Sequence, residues 1–135
     1  MNTGIFKFDQ RSARNLIGVH PDLVKIVELA AVKSRVKFLV TEGVRSAARQ
    51  QELMQAGATR TLKSRHIGGF AVDVAAVVGD EIRWDWPLYA HISDAMHAAA
   101  DELGLMVEWG GAWRTFKDGP HFQLPASRYP DEVKP

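Results

Sequence analysis

The segment Phe70-Ala-Val-Asp-Val-Ala-Ala-Val77 constrains the fold of this chain more than any other. It is apolar and partly β-branched, reads as a buried strand, and carries a single carboxylate in its middle. Strand alternation sends Phe70, Val72 and Val74 to one face, and Ala71, Asp73 and Ala75 to the other. An acidic residue between alanines on one face of a strand spoils a core unless its charge is compensated, and its small neighbours leave room beside it. A cation, or an arginine partner, resolves the oddity. The chain must therefore form a sheet with one face in the core and a polar centre on the other.

The surrounding elements fill in an α+β domain. His20-Pro21-Asp22 starts a helix with Pro at its first position, and Leu23, Ile26, Val27 and Ala30 give a helical stripe over 21–33. Lys37–Thr41 reads as a buried strand. Ser46 caps a second helix running to about Gln55 and ended by Gly57. Residues 58–69 read as a loop. Gly79-Asp80 turns the central strand back into Glu81–Trp84. Pro87 opens the longest helix, to about Leu103, and Gly104 ends it. Leu105–Trp109 and His121–Leu124 are the last expected strands, followed by a loop or frayed tail over 125–135. The expectation is a small, mainly antiparallel sheet packed against about three helices, with the polar centre on the open sheet face.

No repeat or low-complexity tract appears, and 135 residues fit one domain, so a single unit over 1–135 is expected. The 46% hydrophobic and 24% charged content is that of a globular protein. With 17 basic against 16 acidic residues the charge is near balance, which gives no case for a nucleic-acid partner or an anionic membrane surface. No apolar run is long enough to span a bilayer, and the first residues lack the apolar core of a secretory signal. The chain contains no cysteine, so a metal site must draw on His and carboxylates.

Two segments supply such ligands. Ser64-Arg-His66-Ile-Gly-Gly-Phe-Ala-Val-Asp73 brings a His and an Asp within ten residues, with Gly68-Gly69 able to turn His66 alongside the strand. In Asp118-Gly-Pro-His121-Phe-Gln-Leu124, alternation sends His121 and Gln123 to one face and Phe122 and Leu124 to the other. Two His and one Asp leave an open fourth position, the arrangement of catalytic rather than structural zinc. A further carboxylate is needed to move protons; Asp118 is the candidate and Glu108 the reserve. Singly, each residue has an ordinary role: Asp73 as an arginine's partner, Glu108 as a solvated strand-end charge, His20 in a helix cap, His91 and His97 in surface or packing positions.

Together the spacings are specific. Ser64-x-His66-x6-Asp73 followed by Asp118-x2-His121 resembles the metallopeptidase family of D-Ala-D-Ala dipeptidases and carboxypeptidases, and its S-x-H-x-x-G-x-A-x-D signature is met at every fixed position. Glu42-Gly-Val-Arg45-Ser-Ala-Ala-Arg-Gln50 is similar to that family's E-G-x-R-S-x-x-R-Q segment. The resemblance implies zinc held by His66, Asp73 and His121, with Asp118 as acid/base. It further implies Arg45 assisting substrate or transition-state binding, and Ser64 as a substrate hydrogen-bond donor or a cap of its loop.

Many relatives carry Glu where this chain has Asp118. The Asp looks more like the bacteriophage endolysins of the family, which cut the L-alanyl-D-glutamate bond of peptidoglycan stem peptides. The Trp109-Gly-Gly-x-Trp113 segment also looks endolysin-like, its tryptophans placed either to wall a cleft or to pack a core. The resemblance thus implies a monomeric zinc peptidase acting on peptidoglycan stem peptides, made in the host cytoplasm and released to act on the cell wall. Two other readings stand beside it: a D,D-carboxypeptidase or dipeptidase acting on D-Ala-D-Ala ends, and a non-catalytic zinc-containing binding domain.

Overall fold

The structure, a computed structural model, describes residues 10–57, 64–114 and 117–130. Of the expected loop and tail, positions 58–63 and 131–135 lie outside the described residues, as do the first nine residues.

Among the described residues, four α-helices and five strands follow in the order α1 (Gln10–Asn15), α2 (Pro21–Lys33), β1 (Lys37–Glu42), α3 (Ala47–Gln55), β2 (Ala71–Val78), β3 (Glu81–Arg83), α4 (Trp86–Leu103), β4 (Glu108–Trp109) and β5 (His121–Gln123). The α+β class and the antiparallel sheet are as expected. The sheet order is β1-β2-β5-β4, with β3 also paired to β2, and every pairing is antiparallel. The long central strand β2 meets β1 along one edge. Its other edge is shared: β5 pairs with Ala71–Asp73 and β3 with Ala76–Val78. In the gap between them the Val74 amide donates to the Pro120 carbonyl, and at the start of the β3 pairing the Ala76 amide donates to the Tyr89 hydroxyl.

The two faces of β2 divide as alternation requires. Val72, Val74 and Ala76 join Phe38, Val40, Phe122 and Leu124 in a core closed by the apolar stripes of α2 and α4. Residues such as Leu23, Ile26, Ile92 and Met96 have no exposed surface there, and burial of this kind is the main stabilising term. The opposite face carries Ala71, Asp73 and Ala75, with Gln123 and His121 the cross-strand neighbours of the first two.

Three expectations change. Helix α1 is an additional element: its sequence, QRSARN, is polar and has no apolar stripe. It is held by the edge of the sheet, where the Val40 amide donates to Ser12 Oγ (3.1 Å) and Asn15 Nδ2 donates to the Val40 carbonyl (2.9 Å). The expected strand over Leu105–Trp109 shrinks to Glu108–Trp109. Gly104 ends α4 in the left-handed conformation (φ 71°), and the Leu105 amide turns back to the Ala100 carbonyl, so the next residues leave the helix rather than extend a strand. The segment after Trp109 forms a single 3₁₀ turn over Gly110–Ala112.

Candidate metal centre

Three local devices bring the polar side chains together. The first is a β-bulge. β1 and β2 run in register until Val40 opposite Val74, and the next pair is Glu42 opposite Asp73. Thr41 is the extra residue, which places Glu42 rather than Thr41 across from Asp73, on the same face. Glu42 then grips Arg45 with both oxygens: Arg45 Nε donates to Oε2 (2.8 Å) and Nη2 to Oε1 (2.7 Å). That fork–fork geometry fixes the guanidinium in plane. Arg45 is buried, and its Nη2 lies 3.5 Å from Asp73 Oδ2.

The second device joins the loop after β1 to the loop before β2. The Arg45 amide donates to the His66 carbonyl (2.9 Å), and His66 Nδ1 donates to the Gly43 carbonyl (2.8 Å). A carbonyl only accepts, so Nδ1 carries the His66 proton and Nε2 presents its lone pair to the sheet face. Gly43 has to be glycine, because a Cβ there would lie 1.9 Å from the Asn15 carbonyl oxygen. Gly69, at φ 82°, closes the turn that the Gly-Gly pair was expected to supply. Ser64 Oγ accepts from the His66 amide (3.1 Å), which is the loop-capping role.

The third device is the turn before β5. The Asp118 amide donates to the Gly110 carbonyl, and a Cβ on Gly110 would meet the Asp118 carbonyl oxygen at 2.5 Å and His121 Cβ at 3.1 Å. Trp109 Nε1 donates to the Gly119 carbonyl (2.6 Å), and its ring stacks near Phe122, so this tryptophan ties the turn to the core. Trp113 instead leans on His121, with ring centroids 5.1 Å apart, and stands at the site itself.

His66 Nε2 and His121 Nδ1 each lie 3.3 Å from Asp73 Oδ1, and the three ligand atoms are all within 4.8 Å of one another. Ligand atoms about 2.0–2.2 Å from a tetrahedral ion are separated by roughly 3.3–3.5 Å, the edge of that tetrahedron. His66 Nε2 is buried and makes no hydrogen bond, an expensive state for an imidazole nitrogen that a cation would relieve. The donor set is borderline-soft nitrogen with one carboxylate, suited to zinc and its neighbours. The residues present fit a divalent metal.

The electrostatics agree. Burial works against the Asp73 charge, yet the flanking imidazoles of His121 and His66 hold its carboxyl well below the usual carboxylate range. His121 is shifted upward: burial opposes its charged form, but the bond and charge of Asp73, then Gln123 and Asp118, outweigh it. Asp118 is pushed up by burial and by the Asp73 charge, with His121, His66 and Arg45 pulling the other way. Asp118 thus sits within electrostatic reach of every residue of the cluster. Glu108, the reserve carboxylate, is exposed and accepts from Gln123 Nε2 (3.0 Å).

The structure brings His66, His121 and Arg45 to Asp73, with Asp118 in electrostatic range of all four. Glu42 has no role in the motif as read from the sequence; an acid three residues before an Arg at a strand end is the signal that marks it. Gln123 shares the His121 face, as alternation implies, and there it meets the ring of His121.

An antiparallel α+β sheet carrying a His–Asp–His group able to hold a divalent metal, with an acidic side chain beside it, is the frame of a metallohydrolase. The family model described as phage L-alanyl-D-glutamate peptidase matches residues 4–124, and the chain belongs to that family of peptidases. It is 29% identical over 133 residues to the L-alanyl-D-glutamate peptidase of Escherichia phage T5, covering 96% of this chain and 90% of that one. The crystal structure of Serratia marcescens L-Ala D-Glu endopeptidase ChiX is similar at 52% identity and a TM-score of 0.89, over 95% of this chain and 96% of that one. The vancomycin resistance D,D-dipeptidase VanXYg shares the fold, with a TM-score of 0.51 at 20% identity over 82% of this chain and 53% of that one.

Proposed function

We propose that this chain is a zinc-dependent endopeptidase that hydrolyses the L-alanyl-D-glutamate bond of peptidoglycan stem peptides. The observation that carries the reading is the shared approach of two imidazole nitrogens to Asp73 Oδ1, both at 3.3 Å, with His66 Nε2 otherwise unsatisfied. Family membership supplies the bond.

His66, Asp73 and His121 would hold the ion through Nε2, a carboxylate oxygen and Nδ1. Bound there, zinc supplies Lewis acidity toward water and a substrate carbonyl. Asp118 takes the proton of the attacking water and returns it to the departing amine of D-glutamate, leaving a free alanine carboxylate. Arg45, held rigid by Glu42, presents positive charge to a substrate carboxylate or to the charge developing on the carbonyl oxygen. Ser64 keeps the His66 loop in place, and its hydroxyl hydrogen remains usable toward substrate. The working form is a monomer that accumulates in the host cytoplasm and acts on the cell wall once released; among the described residues no helix is long and apolar enough to cross a membrane.

Digestion of purified peptidoglycan, followed by mass spectrometry, tests the reading. New D-glutamate amino ends with intact D-Ala termini are expected, and metal-stripped protein should release none. Loss of terminal D-Ala instead would make the chain a D,D-carboxypeptidase. Stoichiometric zinc without cleavage of any wall fragment would make it a binding domain.

A further inference from the structure

A neutral imidazole has two tautomers, and only one leaves Nδ1 of His121 able to donate a lone pair toward Asp73 and His66. On the far side of the ring, His121 Nε2 lies 2.8 Å from Gln123 Oε1, and Gln123 Nε2 lies 3.0 Å from Glu108 Oε1. Strand register builds this line. His121 and Gln123 are two residues apart on β5 and share a face, while Glu108 of β4 is the cross-strand partner of Gln123.

The chemistry of the three groups sets their order. An ionised carboxylate only accepts hydrogen bonds, so Glu108 must face the amide NH₂ of Gln123. That leaves the amide oxygen turned toward His121. An amide oxygen only accepts, so the 2.8 Å bond to Gln123 holds the imidazole proton on Nε2; the Asp73 carboxylate competes for it from a longer 3.3 Å at Nδ1, and the shorter bond leaves Nδ1 as the lone-pair donor. We propose that Gln123, oriented by Glu108, is a positioning residue that fixes His121 in the tautomer and ring orientation a metal requires. The relay does for His121 what the Gly43 carbonyl does for His66 at the opposite nitrogen. Each imidazole is thereby locked from outside, one by backbone and one by side chains, a division of labour that ligating histidines need because the unconstrained ring can present either nitrogen. Only the side-chain lock can be removed by substitution. The inference rests on His121 being a metal ligand, as read above.

The test uses Gln123→Met, which keeps length and volume but cannot accept from the ring, and Glu108→Gln, an exposed change that frees the amide to turn over. Long-range ¹⁵N–¹H correlation spectra of the metal-free protein, above the titration range of His121, report where its proton sits. Zinc affinity is measured by competition with a chromogenic chelator. The wild type should carry the proton on Nε2. Gln123→Met should give a mixture of tautomers and bind zinc about 10–100-fold more weakly. Glu108→Gln should weaken binding less, and should add nothing in the Gln123→Met background, because its effect passes through the amide. A folded Gln123→Met protein with wild-type tautomer and wild-type zinc affinity would overturn the relay. So would additive effects of the two substitutions. A wild type that binds no zinc, yet keeps its proton on Nε2, would instead overturn the metal site on which the relay's purpose rests.

Discussion

Asp73 and His121 stand directly opposite one another on β2 and β5, with Asp73 Oδ1 3.3 Å from His121 Nδ1. Both polar groups come from strand positions whose neighbours in sequence, Val72, Val74 and Phe122, are in the core. The pair is therefore held by the sheet rather than by loops, and its geometry is as rigid as the ladder. Without metal, the pair keeps a proton: Asp73 is held ionised, and His121, despite burial, retains its proton above the ordinary range.

That retained proton predicts the pH dependence of metal binding. The ion competes with it, so zinc affinity should rise with pH through the elevated His121 value, and binding should release a proton. Calorimetry in two buffers of different ionisation heat measures the release directly. The sign for stability is opposite. A histidine whose folded value is raised contributes fully below its unfolded value of about 6.5, and the contribution fades as pH climbs through the folded value. Metal-free protein should thus lose stability on the alkaline side while zinc affinity increases. Zinc binding that is flat with pH, with no proton released, would refute the pairing.

Chelation should destabilise the folded chain. A ligand present at 1,000 times its dissociation constant stabilises by about 4 kcal/mol, and a domain near this size shifts by roughly 2–6 °C per kcal/mol. Removal of zinc is expected to lower Tm by about 10 °C or more in differential scanning calorimetry. Asp73→Ala should respond to neither zinc nor chelator. An unchanged Tm in the wild type would mean that the cluster holds no ion.

Asp118 separates catalysis from metal binding. Asp118→Asn should keep zinc and lose about 10²–10⁴-fold in kcat/KM, the span that positioned acid–base groups supply. The base must be ionised to act, so wild-type activity is expected to fall as pH drops through the Asp118 value. In the metal-free protein, burial and the Asp73 charge raise that value, and a bound cation would oppose the rise. A carboxylate raised on folding is one whose charge opposes folding at neutral pH, so metal-free Asp118→Asn should melt above the metal-free wild type. Near-normal activity in Asp118→Asn would remove it from the mechanism.

The sheet and its polar centre were legible because they rest on strong local signals. A period-two run interrupted by Asp73, a Pro start at α2, and Ser46 and Gly104 caps each have a direct physical meaning. The bulge at Thr41 left no such mark, since every residue of Lys37–Glu42 could continue a strand, and so the role of Glu42 stayed hidden. The line from Gln123 to Glu108 depends on which strands are neighbours, and β4 with two residues is too short to announce its partner. Helix α1 was hidden for a different reason: its six residues are polar, and what stabilises them lies some 25 residues away.

That last relationship can be tested in isolation. Val40 belongs to the edge strand β1, and its outward amide and carbonyl are both satisfied by α1, through Ser12 Oγ and Asn15 Nδ2. Ser12 is fully buried. Ser12→Ala leaves a buried amide without its acceptor, a loss of about 1–3 kcal/mol, or a Tm lowered by several degrees. Hydrogen exchange sharpens the test. Protection of the Val40 amide should fall by more than that of Ala76, whose acceptor is the Tyr89 hydroxyl on the other side of β2. Asn15→Ala removes the donor to the Val40 carbonyl, so its effect on stability should be smaller than that of Ser12→Ala, because a carbonyl left unpaired at the edge can still recruit water. Equal and negligible effects would mean that α1 merely rests against the sheet, and that the edge of β1 is protected by something other than these two side chains.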